Sequence, residues 1–283
     1  MFFKHLQNGL RFIQFSHTLF ALPFAAASML VAARGLPSLH TLAMILVCLV
    51  SARTAAMSFN RFADWDVDLL NPRTAHRHTL VQRGTAFCIV CVASIVFVAA
   101  TFFINRFCFI LSPACLALVM FYSFTKRFTA YSHFFLGLAL AAAPMGAWAA
   151  VRGDFASITP WLLAFAVLCW TFGFDLVYAT QDTAFDKKQG LHSFPAKFGD
   201  AASLRLARAL HLAAWLLLGA WGWHLGFGWK YLVGWLLIGG AFAFEHAAAR
   251  HADSQKMNRA FFEANAAVSM IFLLTVGAEI AWA

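Results

Sequence analysis

Charged side chains are scarce in this chain. Only 12% of its 283 residues are Asp, Glu, Lys or Arg, while 62% are hydrophobic, and the mean hydropathy is +0.72. Soluble globular domains carry about a quarter charged residues, so that class is excluded. Long polar linkers are lacking as well, which predicts a single membrane domain over residues 1–283. The six cysteines make no framework. Cys88 and Cys91 form a CxxC inside an apolar run, with no second pair and no histidine array, so they read as small buried hydrophobes rather than as a zinc or disulfide site. A basic face on a soluble domain is also missing, and the net charge of +9 therefore does not mark a nucleic-acid partner.

What is abundant is apolar sequence in long blocks. Nine of them, near 12–33, 38–60, 84–104, 107–124, 131–151, 159–180, 204–226, 230–249 and 260–282, match the roughly 20 residues needed to cross a hydrocarbon core about 30 Å thick. Only helices satisfy every backbone group within such a segment. The expected fold is all-α: a polytopic membrane protein built as a bundle of nine transmembrane helices. Asn105 and Arg106 are the sole punctuation between the third and fourth blocks. The first block is longer than a signal-peptide core and is read as a retained span. Assigning loops alternately to two sides puts seventeen Lys and Arg on the N-terminal side and only Arg34, Arg106, Arg152 and Lys230 on the other. The positive-inside rule then places the N-terminus in the cytoplasm and the C-terminus outside. The 32 Phe and 10 Trp are expected to face lipid or the interface for the most part.

Against this background, six of the twelve acidic residues fall into two clusters, Asn60-Arg61-Phe62-Ala63-Asp64-Trp65-Asp66-Val67-Asp68 and Asp175 through Asp186. Each sits at the cytoplasmic end of a span, and the two spans are four apart, a spacing that suggests two four-helix halves plus a ninth helix. Ionisable groups at the edge of an apolar medium are costly and mark function. Residues four apart on a helix lie about 40° apart, so Asn60, Asp64 and Asp68 share one stripe, while Asp66 points to solvent. Asp175, Tyr178, Asp182 and Asp186 share another.

Carboxylates packed this closely repel by roughly 1 kcal/mol per pair in water and by more at a half-buried edge. Either arginine partners or a divalent cation must compensate. An all-oxygen ligand set with no Cys or His suits Mg²⁺, which shares its shell with water and phosphates. Cations that fit a diphosphate are near in sequence. Arg53 lies seven residues before Asn60 on the same face, Lys126 and Arg127 end the fourth block, and Arg73 and Arg77 follow the first cluster. Topological charge is the alternative for each, and it is favoured for Arg127 and Arg83.

These residues resemble the UbiA superfamily of intramembrane prenyltransferases. The motif N-x-x-x-D-x-x-x-D is met by Asn60, Asp64 and Asp68, with Arg53 before it and Asn71-Pro72-Arg73-Thr74 after it; D-x-x-Y-x-x-x-D-x-x-x-D is met by Asp175, Tyr178, Asp182 and Asp186. The stretches Ser16-His17-Thr18 and Gly190-Leu191-His192-Ser193 resemble a bacterial branch described as 4-hydroxybenzoate polyprenyltransferase-like and linked to menaquinone biosynthesis. His78 departs from the pattern, standing where many relatives have proline.

The resemblance implies a transferase of the bacterial inner membrane whose two aspartate rows meet across one cytoplasm-facing cavity. Asn60, Asp64, Asp68, Asp182 and Asp186 would hold Mg²⁺ against the diphosphate of a polyprenyl donor. Arg53 and Lys126 would stabilise the leaving diphosphate, with Arg73 and Arg77 also binding it. Tyr178 is a candidate shield for the allylic cation. Asp175, His17 and His192 are candidate contacts of a small aromatic acceptor, a ring of the hydroxybenzoate or dihydroxynaphthoate type; for either histidine a structural role is an equal alternative. The apolar tail would lie in membrane lipid. Two other readings remain. A cation-coupled transporter would place its acids at the bilayer midplane, in broken helices, and a prenyltransferase could also use a non-aromatic acceptor.

Overall fold

A computed structural model describes residues 18–70, 74, 75, 79–248 and 254–282. Among these residues every regular element is helical. Eight helices of the described residues are long and apolar enough to cross a membrane, and the chain is a polytopic membrane protein. The first block appears as a shorter apolar helix, α1 (Thr18–Ala33), whose sequence before residue 18 lies outside the described residues. The chain falls into two compact units, one holding residues 38–125 and the other residues 19–37 with 126–283. The first helix thus belongs with the second unit, a grouping different from the four-plus-four division suggested by the spacing of the clusters.

In the first unit, α2 (Leu39–Ala63) runs into the short α3 (Trp65–Leu70) and packs against α4 (Arg83–Ile104) and α5 (Arg106–Thr125). Asn105 is the break between α4 and α5, as its place in the sequence suggests. Its backbone turns extended, and its side-chain oxygen accepts the N–H of Cys108 at 2.8 Å, capping the start of α5. Cys88 and Cys91 differ from expectation: both are exposed on α4, because the helix turns that face outward and keeps Ala86, Val90 and Ala93 for its neighbours. Ile95, Phe102, Phe103 and Ile110 are likewise exposed, as side chains bathed in lipid are.

The second unit is built around α7 (Thr159–Ala179), which packs between α6 (Ser132–Arg152) and α10 (Asp200–His224); α10 meets α11 (Trp229–Ala248), and α11 meets α12 (Ser254–Ala281). Here the expectation of outward aromatics fails for a specific set. Phe20 and Phe24 of α1 meet Trp170, Phe174 and Phe272 in edge, tilted and stacked contacts, and all five are buried. Lipid is as apolar as leucine, so helices in membranes associate by packing and hydrogen bonds rather than by exclusion of water. Interdigitated rings supply the packing. The hydrogen bonds come from indoles: Trp170 Nε1 donates to Asn265 at 2.7 Å, and Trp215 and Trp235 stack 4.0 Å apart while each donates to the other's carbonyl. Trp223, Trp229 and Trp282 do lie on the surface.

Close approach of α7 to α6 and α10 depends on two glycines. A Cβ on Gly137 would stand 2.8 Å from the carbonyl oxygen of Leu168, and one on Gly173 would overlap the His211 ring. Small residues at such crossings are what let membrane helices pack tightly.

Candidate active site

The first aspartate row forms because the helical ladder continues through the junction of α2 and α3. The N–H of Asp64 bonds the carbonyl of Asn60 at 2.9 Å, and that of Asp68 bonds the carbonyl of Asp64 at 2.8 Å. Only a modest rotation at Asp64 (φ −91°, ψ 13°) separates the two helices. Asn60, Asp64 and Asp68 therefore rise on one face, as the spacing requires, and the Asn60 amide donates to Asp64 at 3.3 Å. Asp64 is 3% exposed and Asp68 9%. Asp66 stands apart from the row. It is exposed and pairs with Arg83 at 3.5 Å, a surface contact of little energetic weight.

One member of this site is missing from the sequence reading. Arg61 is buried, and its guanidinium lies 3.7 Å from the Asp68 carboxylate. Its position carried the signal: it is seven residues before Asp68, about 20° away around the helix. The Thr74 hydroxyl donates to the backbone carbonyl of Asp68 at 3.1 Å and ties the following segment to the row. Arg53 is half-buried in α2, about 10 Å further along the axis from Asn60. His17, Arg73 and Arg77 lie outside the described residues.

The second row starts in α7 and leaves it. Asp175 and Tyr178 occupy the last turns, Asp182 ends a short 3-10 turn (Thr180–Asp182), and Asp186 sits in α8 (Thr183–Gln189). The single straight stripe is thus replaced by a tightened one. Threonine hydroxyls compete for the backbone here: Thr180 donates to the carbonyl of Val177 at 2.7 Å, and Thr183 to that of Thr180 at 3.0 Å. The four motif residues share a similar degree of exposure nonetheless. All are half-buried, while Leu176, Val177 and Ala179 between them are buried. Gly190 then reverses the chain at φ +67°, a conformation that glycine adopts without strain. The turn returns Leu191 N–H to the Asp186 carbonyl at 2.9 Å and His192 N–H to the Lys126 carbonyl at 2.7 Å. Asp186 consequently sits beside Ser193, with Lys126, His133 and Asp182 as its titratable neighbours.

His192 contributes to this arrangement through its backbone, and its side chain is exposed. Arg127 is exposed as well. His133, which no local pattern singles out, closes on the row from α6: its Nδ1 lies 2.6 Å from Asp175 Oδ2. Only the packing of α6 on α7 brings together residues 42 apart.

The donors fit a hard cation. Each row offers carboxylate, amide or hydroxyl oxygens, and no thiolate stands among them. Among the described residues no three His, Cys, Asp or Glu side chains converge closely enough to hold a metal by themselves. That pattern suits Mg²⁺, which takes one or two carboxylates and completes its octahedron with water and substrate phosphates.

The chain is similar to known proteins along most of its length. The UbiA prenyltransferase family model matches residues 21–274. The 4-hydroxybenzoate octaprenyltransferase of Francisella tularensis subsp. novicida is 31% identical over 176 residues, covering 61% of this chain and 62% of that protein. The enzyme of the same name from Alcanivorax borkumensis is 34% identical over 180 residues, with 62% of each chain covered. The chain thus spans about 62% of the length of these curated relatives. Among solved structures, the apo form of a UbiA homolog from Aeropyrum pernix K1 superposes with a TM-score of 0.82 at 32% identity, covering 94% of this chain and 97% of that one. A UbiA homolog from Archaeoglobus fulgidus bound to DMAPP and Mg²⁺ has the same fold at 19% identity, with a TM-score of 0.73 over 98% of this chain and all of that one. A family match over nearly its whole length places this chain in the UbiA prenyltransferase family.

Proposed function

We propose that the protein is a Mg²⁺-dependent prenyltransferase of the bacterial inner membrane, in which both aspartate rows serve one reaction and residues 1–283 act as a single catalytic domain. The donor is a polyprenyl diphosphate, and the acceptor is a small aromatic ring such as 4-hydroxybenzoate or a dihydroxynaphthoate, destined for a quinone. The observation that carries this reading is the pair of oxygen-donor rows at the motif positions, one backed by Arg61 and the other by Lys126. The names of the bacterial relatives support the acceptor class. Acids at the ends of long helices, with basic side chains beside them, favour phosphate chemistry over ion transport.

In this reading Asn60, Asp64, Asp68, Asp182 and Asp186 hold Mg²⁺, which supplies charge neutralisation of the diphosphate as the allylic C–O bond breaks. Lys126 and Arg53 bind the leaving group as point charge and fork, and Arg73 and Arg77 belong to the same task. Arg61 keeps Asp68 aimed by pairing with it. The Tyr178 ring, one turn before Asp182, faces the developing carbocation with its electron-rich surface. The ring carbon of the acceptor then attacks the allylic carbon and forms the C–C bond; its C–H bond breaks, the electron pair returns to the ring, and the proton leaves to the released diphosphate or to water. The rows face the cytoplasm, where diphosphate and aromatic acid are dissolved, and the polyprenyl tail stays in lipid.

The test is to incubate membranes containing the protein with labelled polyprenyl diphosphate and a panel of aromatic acids, and to identify the lipid product by mass. A C-prenylated ring formed only with Mg²⁺ is expected. Labelled diphosphate release without any prenylated ring, or no turnover with any acid, would overturn the aromatic reading.

A further inference from the structure

Among the described residues, polar contacts join α10 to α11 as successive rungs, starting near the loop at Leu225. The Tyr231 hydroxyl donates to the carbonyl of Leu218 at 2.8 Å. Next, Trp215 and Trp235 exchange indole-to-carbonyl bonds at 2.9 and 2.7 Å. The last rung sets His211 opposite Glu245, with Nδ1 3.9 Å from Oε2. The first two rungs use fixed donors. Only the third is made of titratable groups, and the transfer chemistry does not use it.

This last rung is sealed from solvent. His211 is 2% exposed and Glu245 3%. Phe242 stacks on the imidazole at 4.6 Å, and the buried Trp170 and Asn265 stand beside the pair. The Trp170 carbonyl lies 3.3 Å from His211 Nε2. A carbonyl can only accept, so Nε2 carries the hydrogen, and in a neutral ring Nδ1 keeps a bare lone pair. That lone pair faces a carboxyl oxygen. Neither oxygen of Glu245 has a hydrogen-bond partner, and neither does His211 Nδ1. If the carboxyl were ionised and the ring neutral, two acceptors would oppose each other in an apolar medium, where an unpaired charge is most costly. One added proton turns that repulsion into attraction. It can sit on the carboxyl and point at Nδ1, or sit on Nδ1 and point at the carboxylate. The 3.9 Å separation exceeds hydrogen-bond length, and the proton is what would draw the two atoms together.

We propose that His211 and Glu245 form an intramembrane proton-binding site, and that the single proton they share clasps the end of α11 to α10. His246 is the route to solvent: its ring centre is 4.9 Å from that of His211, and it is half-buried. Other charged groups described on the packed helices are engaged or turned away. Asp175 of α7 meets His133 of α6, while Arg205 and Arg208 of α10 and Glu263 of α12 are exposed, and α1 carries no charge. The side chains of Lys256 and Arg259 lie outside the described residues.

The sign of the pH dependence follows from counting protons. When the clasp opens, water reaches both groups, and they titrate near their ordinary values of about 4.3 and 6.5. Above about pH 7 the open form therefore holds no proton at this site, whereas the closed form holds one. The contribution of the clasp is complete below about pH 6.5 and is lost as the pH rises beyond it.

The test uses the full-length protein in detergent. Melting temperatures at pH 6 and pH 9 are compared for wild type, Glu245→Gln and the double variant Glu245→Leu/His211→Phe. Glutamine supplies a permanent N–H to Nδ1, and the double variant makes the rung apolar, so neither has a proton to lose. Wild type is expected to drop between the two pH values by about 4 °C more than either variant. Backbone hydrogen exchange then locates the change. In wild type, protection of residues 240–248 relative to 231–236 falls about tenfold from pH 6 to pH 9, because the tryptophan rung holds while the clasp opens. Comparing two segments of one protein cancels the base catalysis of exchange, and this ratio decides the matter even where a variant does not fold. A constant ratio in wild type, as a bridging water would give, overturns the proposal. So does an equal pH-dependent drop in wild type and Glu245→Gln.

Discussion

The Arg61 guanidinium lies 3.7 Å from the Asp68 carboxylate, both of them buried at the same end of α2 and α3. This is one cation set among three motif oxygen donors, and it answers part of the repulsion that the row creates. Breaking a buried pair by removing one partner is far costlier than the pair is worth, because the remaining charge stays desolvated. Arg61→Met is therefore expected to lower the melting temperature in detergent and EDTA by about 4 °C or more. Added Mg²⁺ should narrow that gap, since the ion replaces the missing positive charge. A gap unchanged by Mg²⁺ would show that the metal does not reach Asp64 and Asp68.

The two kinds of aspartate in the first cluster should separate cleanly. Asp64→Ala is expected to reduce prenyl transfer by about 100-fold or more at normal protein levels in the membrane. Asp182→Ala should do the same for the second row. Asp66→Ala, which removes only an exposed contact with Arg83, should stay within about twofold of wild type. Normal turnover by Asp64→Ala or Asp182→Ala would remove the metal assignment for that row.

Removal of metal gives a third expectation. EDTA should stop transfer, and excess Mg²⁺ should restore it, because the ligands are oxygens that hold a hard cation reversibly. Activity that persists in EDTA would mean that Arg53, Lys126 and their neighbours suffice to carry the diphosphate.

A fourth concerns the core of the second unit. Gly173→Ala places a methyl against the His211 ring, which is buried, stacked on Phe242 at 4.6 Å and 4.9 Å from His246. The ring has nowhere to go, so the substitution should cost about 1–3 kcal/mol of stability. Thermal unfolding in detergent reads this directly. Gly146→Ala, where a Cβ meets nothing within 4 Å, is the control and should be neutral or stabilising by up to about 1 kcal/mol.

The sequence by itself determined the helices and the rows. Long apolar blocks leave a membrane helix no alternative, since each backbone group must find its partner within the segment. Asn105 could be recognised as the break between α4 and α5 because it was the only polar interruption available, followed directly by Arg106. Asn60, Asp64 and Asp68 could be placed on one face, and Asp66 off it, because helical periodicity is a local property. Arg61 was within reach of the same arithmetic. The tightened turn at Thr180–Asp182 was harder to read, because the threonine hydroxyls that cause it compete with a ladder that the pattern alone assumes to be intact.

Only the tertiary structure decided which polar groups meet across helices and which aromatics turn inward. His133 and Asp175 are 42 residues apart, and Trp170 and Asn265 are 95 apart. In an apolar solvent the composition of a helix face does not say whether it meets lipid or protein, since both are equally greasy. Phe24 and Phe102 look alike in sequence, yet one is 1% exposed and the other 62%. Shape complementarity and a few directed hydrogen bonds make that choice, and neither is written along a single helix.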